Sequence, residues 1–199
     1  GRVSEGQATL EAREGYRAGV VRHAMSNGLG PGYARVAGKQ ADIRESIGPI
    51  YSGLEEAKAD IVGLYGLDWL MNKGVLPKSN APNYYASHVA GIFRTVRFGT
   101  AEAHAKAEMM EFNYFVEQGA ITRETSSGRY AIEFAKFPIA VASLAKELLE
   151  IEATGNHTRA EAWFAKYGTM PEDLHAALSK TGSVPVDVDP ITSFEEKVK

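Results

Sequence analysis

Apolar residues recur at helical spacing along residues 50–73, and this stretch is the clearest helix that the sequence predicts. Its apolar positions, three or four residues apart, are Leu54, Ala57, Ile61, Leu64, Leu67 and Leu70. Gly74 follows as a C-terminal cap. Because apolar side chains cover more than half of its circumference, we expect this helix to lie at the centre of its domain. Any charged residue on it then needs a partner.

Weaker periodicity predicts further helices, and one short segment predicts a hairpin. Helices are expected over residues 5–26, 84–98, 101–118, 136–154, 158–167 and 171–179, with some helix over 34–46. Residues 120–122 and 129–132 flank a polar turn and predict two paired strands, whereas residues 184–190 are expected to be extended. The predicted fold class is mainly α, a single multi-helical domain over residues 1–199 with one small β-hairpin near residues 120–132.

Composition narrows the functional classes. The 199 residues carry a formal net charge of −3 with both signs interspersed, which argues against a nucleic-acid binder with a basic face. The chain has no cysteine, so a metal would have to use histidine and carboxylate ligands. No apolar run reaches the ~20 residues that cross a bilayer, and no signal peptide is recognisable, so we expect a cytoplasmic protein without a membrane partner. The sequence lacks an initial Met, and we expect it to be a piece of a longer chain.

Three carboxylates lie on the predicted central helix. Glu56 and Asp60 are four residues apart and share a face, whereas Glu55 is turned about 100° away from Glu56. One interpretation is a solvent-facing stripe in which Lys58 forms surface salt bridges. The other is an enclosed site, because buried carboxylates need a cation, a histidine or a metal beside them.

The histidines offer few other candidates. His104 and Glu108 are four residues apart on a predicted helix, which suits either a metal pair or a local hydrogen bond or salt bridge. His88, His157 and His175 have no ligand spacing, so we interpret each as structural or exposed on the surface.

Two segments in a fixed order carry a resemblance to a known family. Residues 21–32 read VRHAMSNGLGPG, and residues 54–61 read LEEAKADI. In this order they resemble the dipeptidyl peptidase III family of zinc metallopeptidases, which pairs a His-Glu-x-x-His or His-Glu-x-x-Gly-His helix with a Glu-Glu-x-Arg/Lys-Ala-Asp/Glu helix. Residues 103–107, AHAKA, and residues 113–121 are similar to the family's later histidine-bearing helix. The resemblance extends over roughly residues 20–192.

The resemblance implies a zinc cofactor, a peptide substrate and a role for each matching residue. His23 matches the first zinc histidine, and Glu56 matches the zinc-binding glutamate of the second helix. Glu55 and Asp60 match acidic positions that orient the ligating histidines. His104 matches a histidine that assists transition-state stabilisation. The implied activity is peptide-bond hydrolysis by zinc-activated water.

Two positions depart from the family's motif. Ala24 stands where the family has its catalytic glutamate, and Asn27, or Gly28 in the longer spacing, stands where it has the second zinc histidine. A methyl group takes no proton and an amide is a poor zinc ligand, so we expect zinc binding to be weakened or lost and hydrolysis to be very weak or absent.

Other functional classes remain open at this stage. The alternative is a non-catalytic helical pseudoenzyme, which would bind a peptide or dock a partner protein. The resembled peptidases are much longer chains, and their upstream lobe forms the other wall of the substrate cleft. A face left by a missing lobe is therefore expected to favour self-association.

Restoring the motif is expected to restore function in a set order. Ala24→Glu combined with Asn27→His should recover zinc binding before peptidase activity, because the second imidazole completes the ligand set whereas hydrolysis also needs the rest of the cleft. A calorimetric zinc titration of the purified double variant checks this order. A folded double variant that binds no zinc would contradict the geometry that the resemblance implies.

Overall fold

The structure is a computed structural model that describes residues 4–10 and 13–181, and within them the chain is mainly helical. The helices are α1 (Glu5–Ala8), α2 (Arg13–Ser26), α3 (Ile43–Ile47), α4 (Tyr51–Asn72), α5 (Ala81–Val96), α6 (Ala103–Glu117), α7 (Phe137–Thr154), α8 (His157–Tyr167) and α9 (Glu172–Leu178). Two antiparallel hairpins pair β1 (Tyr33–Val36) with β2 (Lys39–Asp42), and β3 (Ile121–Arg123) with β4 (Tyr130–Ile132). The mainly α fold class is confirmed, as is the hairpin near residues 120–132. Residues 184–190, predicted to be extended, lie outside the described residues.

Helix α4 lies at the centre of the fold, as its apolar pattern predicts. It packs against α2, α6 and α7, and Leu54, Ile61 and Leu64 are fully buried among them. Gly74 follows the end of α4 with a φ of +74°, the left-handed conformation that suits a glycine after a helix. Polar groups on α4 therefore lie close to three other helices.

Helix α2 approaches α4 closely because Gly63 has no side chain. A Cβ at Gly63 would lie 3.1 Å from the backbone carbonyl carbon and oxygen of Arg22. The two helix backbones are therefore nearly in contact at this point, and the next residue along α2 is His23. This approach brings His23 to the part of α4 that carries Glu56 and Asp60.

The first hairpin occupies much of the segment in which the sequence predicted some helix, residues 34–46. Its strands are joined by a two-residue turn at Ala37 and Gly38, whose φ angles are +50° and +79°. Two consecutive positive φ angles match the twist of paired strands, but an alanine in this position is not a strong hairpin signal. The prediction of some helix in this segment is confirmed by α3, which Asp42 caps by accepting a hydrogen bond from the Glu45 N–H. The two strands that precede α3 were not predicted.

The single helix predicted over residues 5–26 is divided in the structure. Helix α1 ends at Ala8, and the chain turns before α2 begins at Arg13. The Gln7 side chain forms two hydrogen bonds with the backbone of Ile132. Its NH₂ group donates to the Ile132 carbonyl at 2.9 Å, and its side-chain oxygen accepts from the Ile132 N–H at 2.8 Å. This contact docks α1 on β4, across a sequence separation that no local pattern reveals.

The other predicted helices are observed with small shifts. Helix α5 begins at Ala81, three residues earlier than predicted, with Pro82 in its first turn, where a missing N–H costs no hydrogen bond. Pro171 precedes α9 rather than lying within it. Among the described helices, none has both the length and the apolar character needed to span a membrane.

Gly155 follows α7 and packs against Ala34 of the first hairpin. We expect its substitution to lower the stability of the fold. Its φ is +59°, and a Cβ there would lie 2.7 Å from the Ala34 Cβ. Gly155→Ala should lower the free energy of unfolding by about 2–5 kcal/mol, because left-handed strain and overpacking add. Gly74→Ala is the control, since Gly74 also has positive φ but a Cβ there would have no neighbouring atom within 4 Å. Equal losses in urea denaturation of the two variants would contradict the close packing.

Candidate metal centre

Glu56 and Asp60 lie one turn apart on α4 and face α2, as their spacing predicts. Their side chains are partly enclosed, with 22% and 14% of the surface exposed. The two carboxylates therefore belong to an enclosed site rather than to a solvent-facing stripe. Their partner is an imidazole.

His23 of α2 lies between the two carboxylates. Its Nδ1 is 3.0 Å from Asp60 Oδ1, and its Nε2 is 3.2 Å from Glu56 Oε2. Asp60 thus accepts the Nδ1 proton and holds the ring so that Nε2 faces Glu56. A carboxylate bound to one nitrogen of a histidine, with the other nitrogen directed at a second donor, is typical of metal sites.

The protonation of this pair follows from the same geometry. The hydrogen bond and the charge of Asp60 raise the pKa of His23 above its usual value. Burial alone would raise the pKa of Asp60, but the hydrogen bond to His23 and the nearby charges lower it overall. The metal-free pair therefore favours an imidazolium beside a carboxylate, and a metal bound at Nε2 would displace the proton there.

His104 comes to the same carboxylate from α6. Its Nε2 lies 2.9 Å from Glu56 Oε2, the oxygen that also faces His23. The two imidazole rings are stacked, with centroids 5.8 Å apart and an angle of 29° between their planes. The side chain of His104 is 58% exposed, so this edge of the site is open to solvent.

The donor atoms of His23, Glu56 and His104 converge as the ligands of one metal ion would. They all lie within 4.8 Å of one another, and this is the group of that kind found among the described residues. Tetrahedral zinc holds its nitrogen and oxygen ligands about 3.3 Å apart, close to the 3.2 and 2.9 Å contacts of the Glu56 oxygen. That oxygen is buried and has no properly directed hydrogen bond. Two imidazoles and one carboxylate therefore fit zinc in both chemistry and spacing.

Glu55 lies apart from these donors. Its carboxylate accepts hydrogen bonds from Lys58 Nζ at 2.7 Å and from the Tyr51 hydroxyl at 3.3 Å. The helical rotation between neighbouring residues turns Glu55 away from Glu56. The sequence has Asn27, not a histidine, at the position where the resemblance implies a second ligating histidine.

Lys58 holds the end of α2 in place. Its side chain is 3% exposed, and its ammonium group donates to the backbone carbonyl oxygens of Ser26 at 3.2 Å and Leu29 at 2.6 Å. A longer contact of 3.4 Å reaches the carbonyl of Asn27. A cation at a helix C-terminus satisfies carbonyls that have no partner in the helix. Lys58 is therefore a buried residue that connects α4 to the end of α2. It is not the surface salt-bridge partner that one interpretation of the sequence allowed.

A cavity of about 420 Å³ opens beside the three donors, between α2, α5 and α6. His23 and His104 lie on its wall, and so do Ala24 and Asn27. Both departures from the family's motif therefore face the same space as the candidate ligands. Ala24 contributes only a methyl group to that space.

A buried polar network that the sequence did not predict lies behind this cavity. Arg22 donates to the Asp60 carbonyl at 2.5 Å and to His88 Nδ1 at 3.1 Å. Because an arginine only donates, neutral His88 carries its proton on Nε2, which lies 3.2 Å from Glu111 Oε2. Burial lowers the pKa of His88 to about 3 and raises that of Glu111. The spacing of these residues in the sequence does not indicate a network. Of Arg22, His88 and Glu111, only His88 was interpreted from the sequence, as structural or exposed on the surface.

Comparisons with known proteins identify similar sequences and structures. No protein-family model matches the chain. Over 197 residues the chain is 37% identical to Nudix hydrolase 3 of Arabidopsis thaliana. Its structure matches that of dipeptidyl peptidase III from Caldithrix abyssi with a TM-score of 0.94, and that of dipeptidyl-peptidase III from Corallococcus sp. strain EGB with a TM-score of 0.92, at 32% sequence identity in each case. The chain therefore has the fold of dipeptidyl peptidase III, as its motifs predict.

These matches cover nearly all of this chain but only part of each relative. They include 98% of this chain and 25% of the Arabidopsis protein, 99% of this chain and 38% of the Caldithrix protein, and 98% of this chain and 36% of the Corallococcus protein. The name of the Arabidopsis protein denotes a different hydrolase from that of the two solved structures. The two solved structures therefore show the fold, and the names of the similar proteins differ in the activity that they denote.

Asp60→Asn is expected to lower the pKa of His23, because it removes the carboxylate that raises it. A histidine whose pKa is higher in the folded state stabilises the fold below about pH 6.5 and loses this contribution as the pH rises through the folded pKa. The variant should therefore lose the part of the wild-type free energy of unfolding that declines as the pH rises from about 6.5 through the raised folded pKa of His23. NMR titration of the His23 ring and urea denaturation across that range measure both effects.

Glu56→Gln is the matched control for this prediction, since the charge of Glu56 contributes less than Asp60 to the raised pKa of His23. It should lower that pKa by a smaller amount. An unchanged His23 titration in Asp60→Asn would show that Asp60 does not hold the ring.

Proposed function

We propose that this chain is the metal-binding part of a peptidase-like protein of the dipeptidyl peptidase III type, with His23, Glu56 and His104 as its zinc donors. The observation that supports this most directly is the convergence of two imidazole nitrogens on one buried carboxylate oxygen without a directed hydrogen bond. Two histidines and one glutamate are an established donor set of catalytic zinc sites. In this proposal His104 takes the ligand position that Asn27 cannot fill, rather than only assisting the transition state.

The residues around the donors have separate tasks in this proposal. When bound, zinc would polarise a peptide carbonyl and make water a better nucleophile. Asp60 keeps the proton of His23 on Nδ1, so that Nε2 is free to act as a ligand. Lys58 holds the end of α2, and therefore the position of His23 one turn earlier. The cavity beside the donors has room for a segment of a peptide.

Ala24 limits what this site can do. Hydrolysis requires a group that takes a proton from water, and loss of such a group costs about 10²- to 10⁴-fold in rate. A second wall for the substrate cleft is a further requirement, and this chain spans 38% or less of the length of the three proteins compared above. We therefore expect zinc binding to be easier to detect than hydrolysis.

A second candidate function is a non-catalytic module that binds a peptide or a partner protein. The position of Ala24 and Asn27 on the cavity wall favours it, since both leave the cavity open while removing motif chemistry. Peptide affinity that is unaffected by chelators and by His23→Ala would support this candidate over the metal-dependent one.

Calorimetric titration of the chelator-stripped protein with zinc tests the first proposal. We expect one zinc ion per chain, and at least about 100-fold weaker binding in His23→Ala, Glu56→Ala and His104→Ala, because ligand losses exceed the 10- to 100-fold effect of outer partners. His175→Ala is the matched control, since this exposed histidine lies on α9, away from the donors. No zinc binding, or equal binding in all variants, would refute the metal centre.

A further inference from the structure

Glu108 lies on the wall of the cavity that Ala24 leaves without a carboxyl group. It follows His104 by one turn of α6, and both side chains line the cavity together with His23 and Ala24. Ala24 belongs to α2, so the two positions lie on different helices that border the same space. Two carboxyl groups of the described residues line the cavity: that of Asp60, which is hydrogen-bonded to His23, and that of Glu108, which lies on α6 instead of α2.

The Glu108 carboxyl is not fully used by the fold. Its Oε2 is buried and has no hydrogen-bond partner among the described residues. The groups that act on it include Asp60 of α4, His23 of α2, and Thr95 and Arg94 of α5, with Thr95 hydrogen-bonded to it. The buried Glu111 of α6 also interacts with its charge. An enclosed carboxyl oxygen with no partner costs free energy, and a substrate or water proton in the cavity would supply one.

The surroundings also suit proton transfer near neutral pH. Burial raises the pKa of Glu108 to about 7, against the opposing effect of the Thr95 hydrogen bond. A carboxyl with a pKa near the working pH accepts and returns protons most effectively. An exposed glutamate, by contrast, is a weak base at neutral pH.

We propose that Glu108 is the proton-transfer residue of this site, in place of the glutamate that the family carries at the position of Ala24. The proposal rests on the metal centre proposed above and adds the reacting group which that centre lacks. Glu108 would be a catalytic residue in the strict sense, because its carboxyl would touch the reacting water.

The proposed step balances within the cavity. The oxygen of a water molecule forms a bond to the peptide carbonyl carbon, its proton passes to Glu108 Oε2, and the carbonyl π electrons move to the carbonyl oxygen. When the C–N bond then breaks, the electrons on that oxygen re-form the carbonyl and Glu108 returns its proton to the leaving nitrogen. One water molecule is consumed, and one carboxyl and one amine group are formed.

The first test requires no activity. Carbon-13 NMR of the side-chain carboxyl groups in the metal-free protein should show Glu108 titrating near pH 7, and Glu108→Gln identifies its signal by removing it. A midpoint in the ordinary range of exposed glutamates, near 4.3, would show a solvated carboxyl and overturn the proposal.

The second test measures hydrolysis of a dipeptidyl arylamide by the zinc-loaded chain. Glu108→Gln should slow it by at least about 100-fold, whereas Glu102→Gln should leave the rate unchanged. Glu102 is the matched control because it is an exposed carboxyl directly before the same helix. Equal rates in the wild type and Glu108→Gln, including undetectable rates in both, overturn the proposal.

Calorimetry of the same samples separates the two possible failures. Zinc binding with no effect of Glu108→Gln on the rate would refute the role of Glu108 and leave the metal centre standing. Absence of zinc binding by the wild-type chain would refute the metal centre itself.

Discussion

The close approach of α2 to α4 at Gly63 is the contact on which the rest of the site depends. Because Gly63 lacks a side chain, the backbone of Arg22 comes within van der Waals distance of α4. The neighbouring His23 then meets both Glu56 and Asp60, which α4 presents one turn apart. A Cβ at Gly63 would lie 3.1 Å from the Arg22 backbone, so a larger residue there would force α2 to shift and would disturb the position of the imidazole against both carboxylates.

Two buried cations reinforce this contact from either side. Arg22 joins α2 to the backbone of α4 and to His88 of α5, whereas Lys58 joins α4 to the end of α2. Burying a charge is costly unless hydrogen bonds and opposite charges compensate for it, so such groups define an arrangement of helices more than they stabilise it. Lys58 donates mainly to backbone carbonyls, and Arg22 donates to one backbone carbonyl as well as to His88. The positions of these carbonyls change only if the helices move. The site is therefore held by the helix backbones and does not rely on surface ion pairs.

Fold and chemistry are separable in this protein. Its backbone matches dipeptidyl peptidase III structures with TM-scores of 0.94 and 0.92, yet Ala24 and Asn27 depart from the motif of that family. The described contacts that join α2 to α4 come from Gly63, Arg22, His23 and Lys58, and not from the side chains of Ala24 or Asn27, so these two departures are compatible with the fold. What the site can still do depends on the groups that remain around the cavity, namely the three converging donors, Asp60 beside His23 and the enclosed carboxyl of Glu108.

Local pattern was sufficient for the central helix, the hairpin near residues 120–132 and the shared face of Glu56 and Asp60, because each depends on residues close together in the chain. The roles of His23 and His104 could be proposed only from the order of their motifs. Three features could not be predicted from the sequence: the hairpin around Ala37, the docking of Gln7 on β4 and the contact of Arg22 with His88. Each depends on burial or on partners far away in sequence, and periodicity carries no information about either. The convergence of His23, Glu56 and His104 likewise arises only when three helices pack together, since their spacing along the chain is unrelated to their distance in space.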